Sequence, residues 1–364
     1  MSRAARIGYG AFLPLLAIAV LAFAAVVLLW DLLWTPIAWL GRRATADRAP
    51  AARDASIVVL TWNGIGYLRE LMPTLHTAVG RCPGDHEVIV VDNGSDDGTA
   101  EWLAREHAWA RVVRLPENRF FIRGNRAGVA AASRDLLVFL NNDMRVEPDF
   151  LVELLQPFDA PDVFAVTSRI EMAGERPETG LARCFVKHGE LRFVHVPGQS
   201  ADDGAPVLWA GGGSSAFDRS KHDAIGGFEA LYEPCYVEDV SLSWQAWRRG
   251  WRCVYAHRSV VHHAHRGTSQ KVFGREGVER LDWRNRELFF VRSVTDPLLV
   301  LQHALFFAWN LRKRARQRGV PIGVGVRAAL ATVPRLPLAL WLRARDRRYY
   351  RSSTSTVLAR NALP

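Results

Sequence analysis

An α/β body built on a mostly parallel sheet, tethered by one membrane-length apolar helix, is the architecture this sequence predicts. Three observations carry the reading. Residues Ala11–Trp30 contain no charged side chain. From Ser56 onward, short β-branched runs alternate with helix-like segments. The residues that follow several of those runs are acidic or amide-bearing.

The apolar run comes first. A helix needs roughly 20 apolar residues to cross the hydrocarbon core, and Ala11–Trp30 meets that length. Trp30, Trp34 and Trp39 collect at one end, where amphipathic aromatics suit a membrane interface. Pro14 falls in the first turns, where it does least harm. The run is too long for the core of a cleaved signal and lacks a clear small-residue cleavage site. The expected division is a tail (1–10), a transmembrane helix (11–34), a linker (35–54), a catalytic-type body (55–270) and a helical, partly amphipathic, membrane-associated tail (271–364). Arg42, Arg43 and Arg48 follow the span and Arg3 and Arg6 precede it. The positive-inside rule then leans toward a cytoplasmic body on a single-pass inner-membrane anchor.

The body follows. Ser56–Leu60, Glu87–Val91, Arg111–Leu115 and Leu136–Leu140 read as buried strands. Tyr67–Val79, Thr99–Glu106 and Gly124–Arg134 read as the intervening helices. Such alternation implies a parallel sheet covered on both faces. Ligands of open parallel sheets bind beyond the carboxyl ends of the strands. Thr61-Trp-Asn63, Asp92-Asn-Gly-Ser-Asp-Asp-Gly-Thr99 and Asn141-Asn-Asp143 therefore point oxygen atoms at one crevice. Taken singly each is weak: DNGSDDGT is equally a turn with a helix cap.

Composition is compatible with this plan. Hydrophobic residues make up 49% and charged residues 23% of 364, which supports a packed core and argues against wholesale disorder. The formal net charge of +10 favours anionic partners. Cys82, Cys184, Cys235 and Cys253 show no metal-like spacing and read as free thiols.

In this order, the stretches VVLTWNG (58–64), VIVVDNGSDDGT (88–99), ENRFFIRGNRAG (117–128), LVFLNNDMRVEPDF (137–150), WAGGGSSAFDR (209–219) and IGGFEALYEPCYVEDVSLSWQAWRRGW (225–251) resemble the family 2 glycosyltransferases, which have the GT-A fold. Among them the chain is most similar to rhamnosyltransferase-type members. The resemblance implies an inverting transfer of sugar from a UDP- or dTDP-linked donor, dTDP-rhamnose included, to a lipid-linked or glycan acceptor in surface-polysaccharide synthesis. It implies that Thr61, Asn63, Asp92, Asp96, Gly124, Asn125 and Asn142 border the nucleotide sugar. Asp143, Asn141 and His262 would hold Mg²⁺ or Mn²⁺, with Asn141 departing from the family's usual first Asp. His263 and His265 leave the histidine register open. Trp209, Gly212 and Gly213 would line the acceptor side. In the pair Glu238-Asp239, Asp239 would be the general base; without the resemblance the pair reads as a helix cap.

Two rival readings are weighed. A processive synthase shares the fold, but Gln245-Ala-Trp-Arg-Arg249 has Arg where that class carries Trp. A catalytically dead assembly module has no need of Asp92, Asp143 and Asp239 together. From Leu298 onward, apolar segments interleave with Arg312–Arg318 and Arg343–Arg348, a pattern suited to anionic membrane lipid. No nucleic-acid module is visible, and none is expected as a partner.

Overall fold

The computed structural model describes residues 3–45, 47–172, 180–196, 203–263 and 268–363. His265 lies outside them. The elements run α1 (Arg3–Leu40), β1 (Ala55–Thr61), α2 (Ile65–Arg81), β2 (Glu87–Asp92), α3 (Thr99–Glu106), β3 (Arg111–Arg114), α4 (Phe120–Ala131), β4 (Leu136–Asn141), β5 (Met144–Val146), α5 (Phe150–Leu155), β6 (Val163–Met172), β7 (Ala182–Lys187), β8 (Glu190–His195), β9 (Ser214–Asp218), α6 (Arg219–Ile225), α7 (Glu238–Arg248), β10 (Arg252–His263), α8 (Thr268–Ser293), α9 (Pro297–Arg318), α10 (Ile322–Thr332), α11 (Leu336–Asp346) and α12 (Thr354–Arg360). The chain divides into two compact units.

The first unit, 46–183 with 194–266, is built on an eight-stranded sheet ordered β3-β2-β1-β4-β9-β6-β10-β5. β1 pairs in parallel with β2 and β4, β2 with β3, and β6 with β10. The pairings of β9 with β4 and β6, and of β5 with β10, are antiparallel. Sequence-derived α/β alternation is thus correct through β4, and the sheet then turns mixed. Ile57, Val59, Val90 and Val138 form a fully buried layer. Helix α2 covers it with Leu68, Leu71, Met72, Leu75 and Ala78, a spacing of three and four that gathers one helix face. Register fixes the site: Thr61 lies opposite Asp92, and Leu60 opposite Asn141. Parallel pairing therefore brings three strand ends to one edge.

The other unit, 1–45 with 184–193 and 267–364, is mainly helical and takes in most of the two-stranded β7-β8 sheet. Helix α1 extends well past the expected span, so the first residues assigned to a linker are helical. Its buried residues Leu13, Ala24, Val27 and Asp31 fall at helical spacing. The opposite face is bare: Leu15 and Ile18 are each 63% exposed and Leu29 60%. Asp31 interrupts the apolar helix and is held by Arg343, whose Nε lies 2.6 Å and Nη2 2.5 Å from its two oxygens, and by Arg347 at 2.8 Å. A charge in so apolar a helix is tolerated because the bidentate fork satisfies it.

Candidate active site

Each strand end contributes a side chain that a local bond holds in place. Asp92 is buried and its Oδ1 accepts from the Ser95 amide at 3.0 Å. Beside it Arg114 stands 3.9 Å from Oδ2. Asn63, in the left-handed region at φ 48°, accepts from the Asp96 amide at 2.9 Å and donates its own amide to Ser95 Oγ at 2.9 Å. The two loops are therefore laced together. Asp96 itself points outward and is exposed. Asp97, which sequence reasoning passed over, accepts from the Ile65 amide at 3.1 Å and the Thr99 amide at 3.1 Å, capping the starts of α2 and α3 at once.

Gly124 and Asn125 sit in the second turn of α4. A Cβ at Gly124 would meet Leu60 at 2.5 Å, so this glycine lets the helix press on β1. Asn125 donates back to the Phe121 carbonyl at 3.0 Å. Both serve the packing of α4.

After β4, Asn142 donates to Thr61 Oγ1 at 2.9 Å. Gly64 is confined by both: a Cβ there would lie 2.4 Å from the Asn142 amide. Asp143 faces His263, with Nε2 and Oδ1 3.4 Å apart. Of the histidines left open by the sequence, His263 and not His262 is the one beside Asp143. In the β5–β10 ladder His263 lies opposite Met144 and His262 opposite Arg145. Successive side chains on a strand point to opposite faces. His262 accordingly turns to Glu147 at 2.6 Å and Glu171 at 3.7 Å, away from Asp143. Asn141 lies under Gly213, whose Cβ would reach its amide at 2.5 Å, and its backbone amide donates to the Gly213 carbonyl at 2.8 Å.

The Gly211-Gly212-Gly213 run is held rather than loose. Phe121 would obstruct a Cβ at Gly212 at 3.0 Å. The Gly212 amide donates to Asp239 Oδ2 at 3.4 Å, and the Val240 amide to Oδ1 at 2.7 Å. Helix α7 organises this segment from below. Ser243 Oγ accepts from the Ala210 amide at 3.1 Å, and Trp247 Nε1 donates to the Val207 and Leu208 carbonyls, each at 3.1 Å. Trp209 is buried and packs edge-on against His195, 5.0 Å between centroids. Gln245 and Arg249 are buried parts of the same scaffold.

Tyr236 and Val237 enter α7 with φ of 78° and 74°. That conformation is costly for a β-branched residue, and such strain gathers at functional sites. It delivers Glu238 and Asp239 together to the first turn. Burial pushes the Asp239 carboxyl above the usual carboxylate range, while the Val240 and Gly212 amides and nearby His195 pull it back. Glu238 is buried more completely and raised well above its ordinary value, by burial first and by the Asp239 charge second. Among the described residues its Oε2 has no hydrogen-bond partner, which suits a neutral carboxyl better than a charged one.

Among the described residues, no three His, Cys, Asp or Glu side chains gather as a metal cage. The Asp143–His263 pair offers two donors. Mg²⁺ is commonly held by one or two carboxylates plus substrate phosphates and waters, and imidazole also suits transition metals. The residues present therefore fit a cation that substrate would help to hold.

An α/β sheet of this order, with acidic strand ends and an Asp at the start of a following helix, defines a GT-A-like architecture. Residues 56–226 match the family model described as glycosyl transferase family 2. The matched stretch, a little under half of the chain, is similar to glycosyltransferase family 2. It is 27% identical over 281 residues to the pre-mycofactocin glycosyltransferase of Mycobacterium tuberculosis, covering 72% of this chain and 53% of that protein. It is 26% identical over 230 residues to N-acetylgalactosaminyltransferase 6 of Drosophila melanogaster, covering 58% of this chain and 34% of that protein. The chain thus spans between a third and about half of these relatives. The crystal structure of GalNAc-T7 with UDP, GalNAc and Mn²⁺ superposes with a TM-score of 0.54 at 15% identity, over 79% of this chain and 60% of that one. That likeness establishes the fold.

Proposed function

We propose that the chain is a membrane-anchored, inverting glycosyltransferase that moves a sugar from a UDP- or dTDP-linked donor to a hydroxyl of a lipid-linked or glycan acceptor. One observation carries the reading. A continuous row of contacts joins the edge residues: Asp92 opposite Thr61, Thr61 bonded to Asn142, Asp143 facing His263, Asn141 bonded to Gly213, and Gly212 bonded to Asp239. A nucleoside, a diphosphate and an acceptor need recognition in just such a sequence.

In this reading Asp92 accepts from the imide N–H of a pyrimidine base. Asn63 and Asp96 border the nucleoside. Asp239 takes the acceptor hydroxyl's proton as that oxygen attacks the anomeric carbon, on the face opposite the departing nucleoside diphosphate. Its raised basicity suits the task, since a general base works best near the operating pH. Glu238, neutral behind it, leaves Asp239 as the charged member. The Gly212 amide holds Asp239 toward the Trp209–Gly213 segment, where the acceptor would lie. Mg²⁺ or Mn²⁺ held by Asp143 and His263 would neutralise charge on the leaving diphosphate. The rhamnosyl donor and a surface-glycan pathway follow from the motif resemblance. The apolar α1, with a mean hydropathy of 2.9 over its candidate span, supports a membrane anchor.

The test is donor turnover by full-length protein in bilayers, followed as release of nucleoside diphosphate from a panel of UDP and dTDP sugars. Asp239→Asn should lower turnover about 10²–10⁴-fold, the usual worth of a general base, with nucleotide affinity kept. Unchanged turnover in that variant would refute the assignment.

A further inference from the structure

Within the helical unit, α1, α8, α9, α10 and the turn after it enclose an apolar cavity of about 250 Å³. Its walls include Leu16 and Val20 of α1, Phe290 of α8, Ala304 and Phe307 of α9, and Leu330 of α10. Dry apolar cavities of roughly 150 Å³ already admit a benzene-sized guest, and native interiors rarely leave larger voids unfilled. The same helices carry apolar residues on their outer faces. On α9 these are Leu298, Leu301, Leu305 and Trp309, all exposed and spaced by three and four. The cavity thus lies between surfaces that would themselves face hydrocarbon.

Its polar lining is Glu287 and His303, paired at 2.8 Å, and Thr332, and one basic residue adjoins it in sequence. Arg335 follows the lining residue Val333 and precedes the lining residue Leu336. It is half-buried, and it makes no hydrogen bond or ion pair among the described residues. A guanidinium fork so placed matches a phosphate. We propose that the cavity holds one acyl chain of an anionic bilayer phospholipid, with the headgroup phosphate against Arg335, so that a structural lipid completes the helical unit. An apolar cavity with a cation beside its lining residues Val333 and Leu336 complements a molecule that joins an acyl chain to a net negative headgroup. The inference rests on the reading of the chain as membrane-bound.

The experiment takes full-length protein through vesicles of phosphatidylglycerol or phosphatidylcholine, then into mild detergent for native mass spectrometry. The expected result is a single phosphatidylglycerol adduct. It should be lost in Ala329→Phe and in Ala19→Phe, which fill the cavity from opposite walls, and weakened in Arg335→Gln while chain length preference persists. Helicity and thermal midpoint in detergent check that either filled variant folds. Wild type that enters vesicles but emerges lipid-free, filled variants that retain the adduct, or a retained polyprenyl phosphate would each overturn the proposal. Failure to enter vesicles at all would overturn the membrane reading beneath it.

Discussion

At the scale of single residues, the pair Glu238-Asp239, proposed above as the catalytic carboxylates, carries a measurable liability. Glu238 is raised in the fold above its unfolded value. A carboxyl so raised is protonated in the folded chain while it ionises in the unfolded one, so stability is fully present below the unfolded value, near 4.5, and is lost as pH rises through the folded value. Glu238→Gln should therefore flatten the fall of thermal midpoint with pH over that window and raise the midpoint at neutral pH. Differential scanning calorimetry from acid to neutral pH reads this; parallel curves for the two proteins would contradict it. The histidines make a second case. His263→Ala should raise the Mn²⁺ concentration needed for half-maximal turnover by about tenfold or more, the scale of effects on metal affinity, whereas His262→Ala should leave it nearly unchanged. Metal titrations of both variants decide it, and an equal effect would restore the opposite register. Sequence alone left this open for a physical reason: which of two adjacent strand residues faces the site depends on the partner strand, and the antiparallel pairing with β5 is a long-range event. Asp97 was hidden differently. Its capping role is local, but in a run of two aspartates only the folded turn shows which one reaches the helix starts.

At the scale of elements, the strand ends were legible because parallel pairing and buried β-branched runs leave few alternatives. The first four strands, their polar ends and the helix at Thr99 lie where hydrophobic patterning puts them. Helix α4 starts at Phe120 rather than Gly124, because aromatic residues with weak helix propensity are fixed there by Asn93 and Asn118, which bond to one another at 2.9 Å and, from Asn118, to the Phe120 amide at 2.8 Å. The glycine run of 211–213 is a packed segment. Gly213→Ala should force the Asn141 amide aside, since the new Cβ would lie 2.5 Å from it, and turnover should drop by about tenfold or more while unfolding shifts by about 1–3 kcal/mol, the range for overpacking. Steady-state kinetics with parallel denaturant titration checks the pair of effects; wild-type turnover would show that the contact is dispensable. Gly64 belongs to the same class, wedged between Thr61 and Asn142.

At the scale of the whole molecule, the chain is a sheet-based unit that holds the site and a helical unit that holds the apolar surface. The basic excess foreseen from composition is partly internal: Arg343 and Arg347 hold Asp31, and Arg314 and Arg192 hold Glu190. Composition could not show this, because burial converts a surface charge into a structural one only once segments of the fold meet. The edge formed by β1, β2 and β4 is proposed to bind a nucleoside diphosphate in company with a divalent cation. The most direct test is thermal stabilisation of the full-length protein by UDP, dTDP, GDP and ADP, each with and without Mn²⁺. The expected result is a rise with UDP or dTDP that grows with Mn²⁺, is lost in Asp92→Ala and is no longer metal-dependent in Asp143→Ala. A folded protein whose midpoint no nucleotide moves would contradict it.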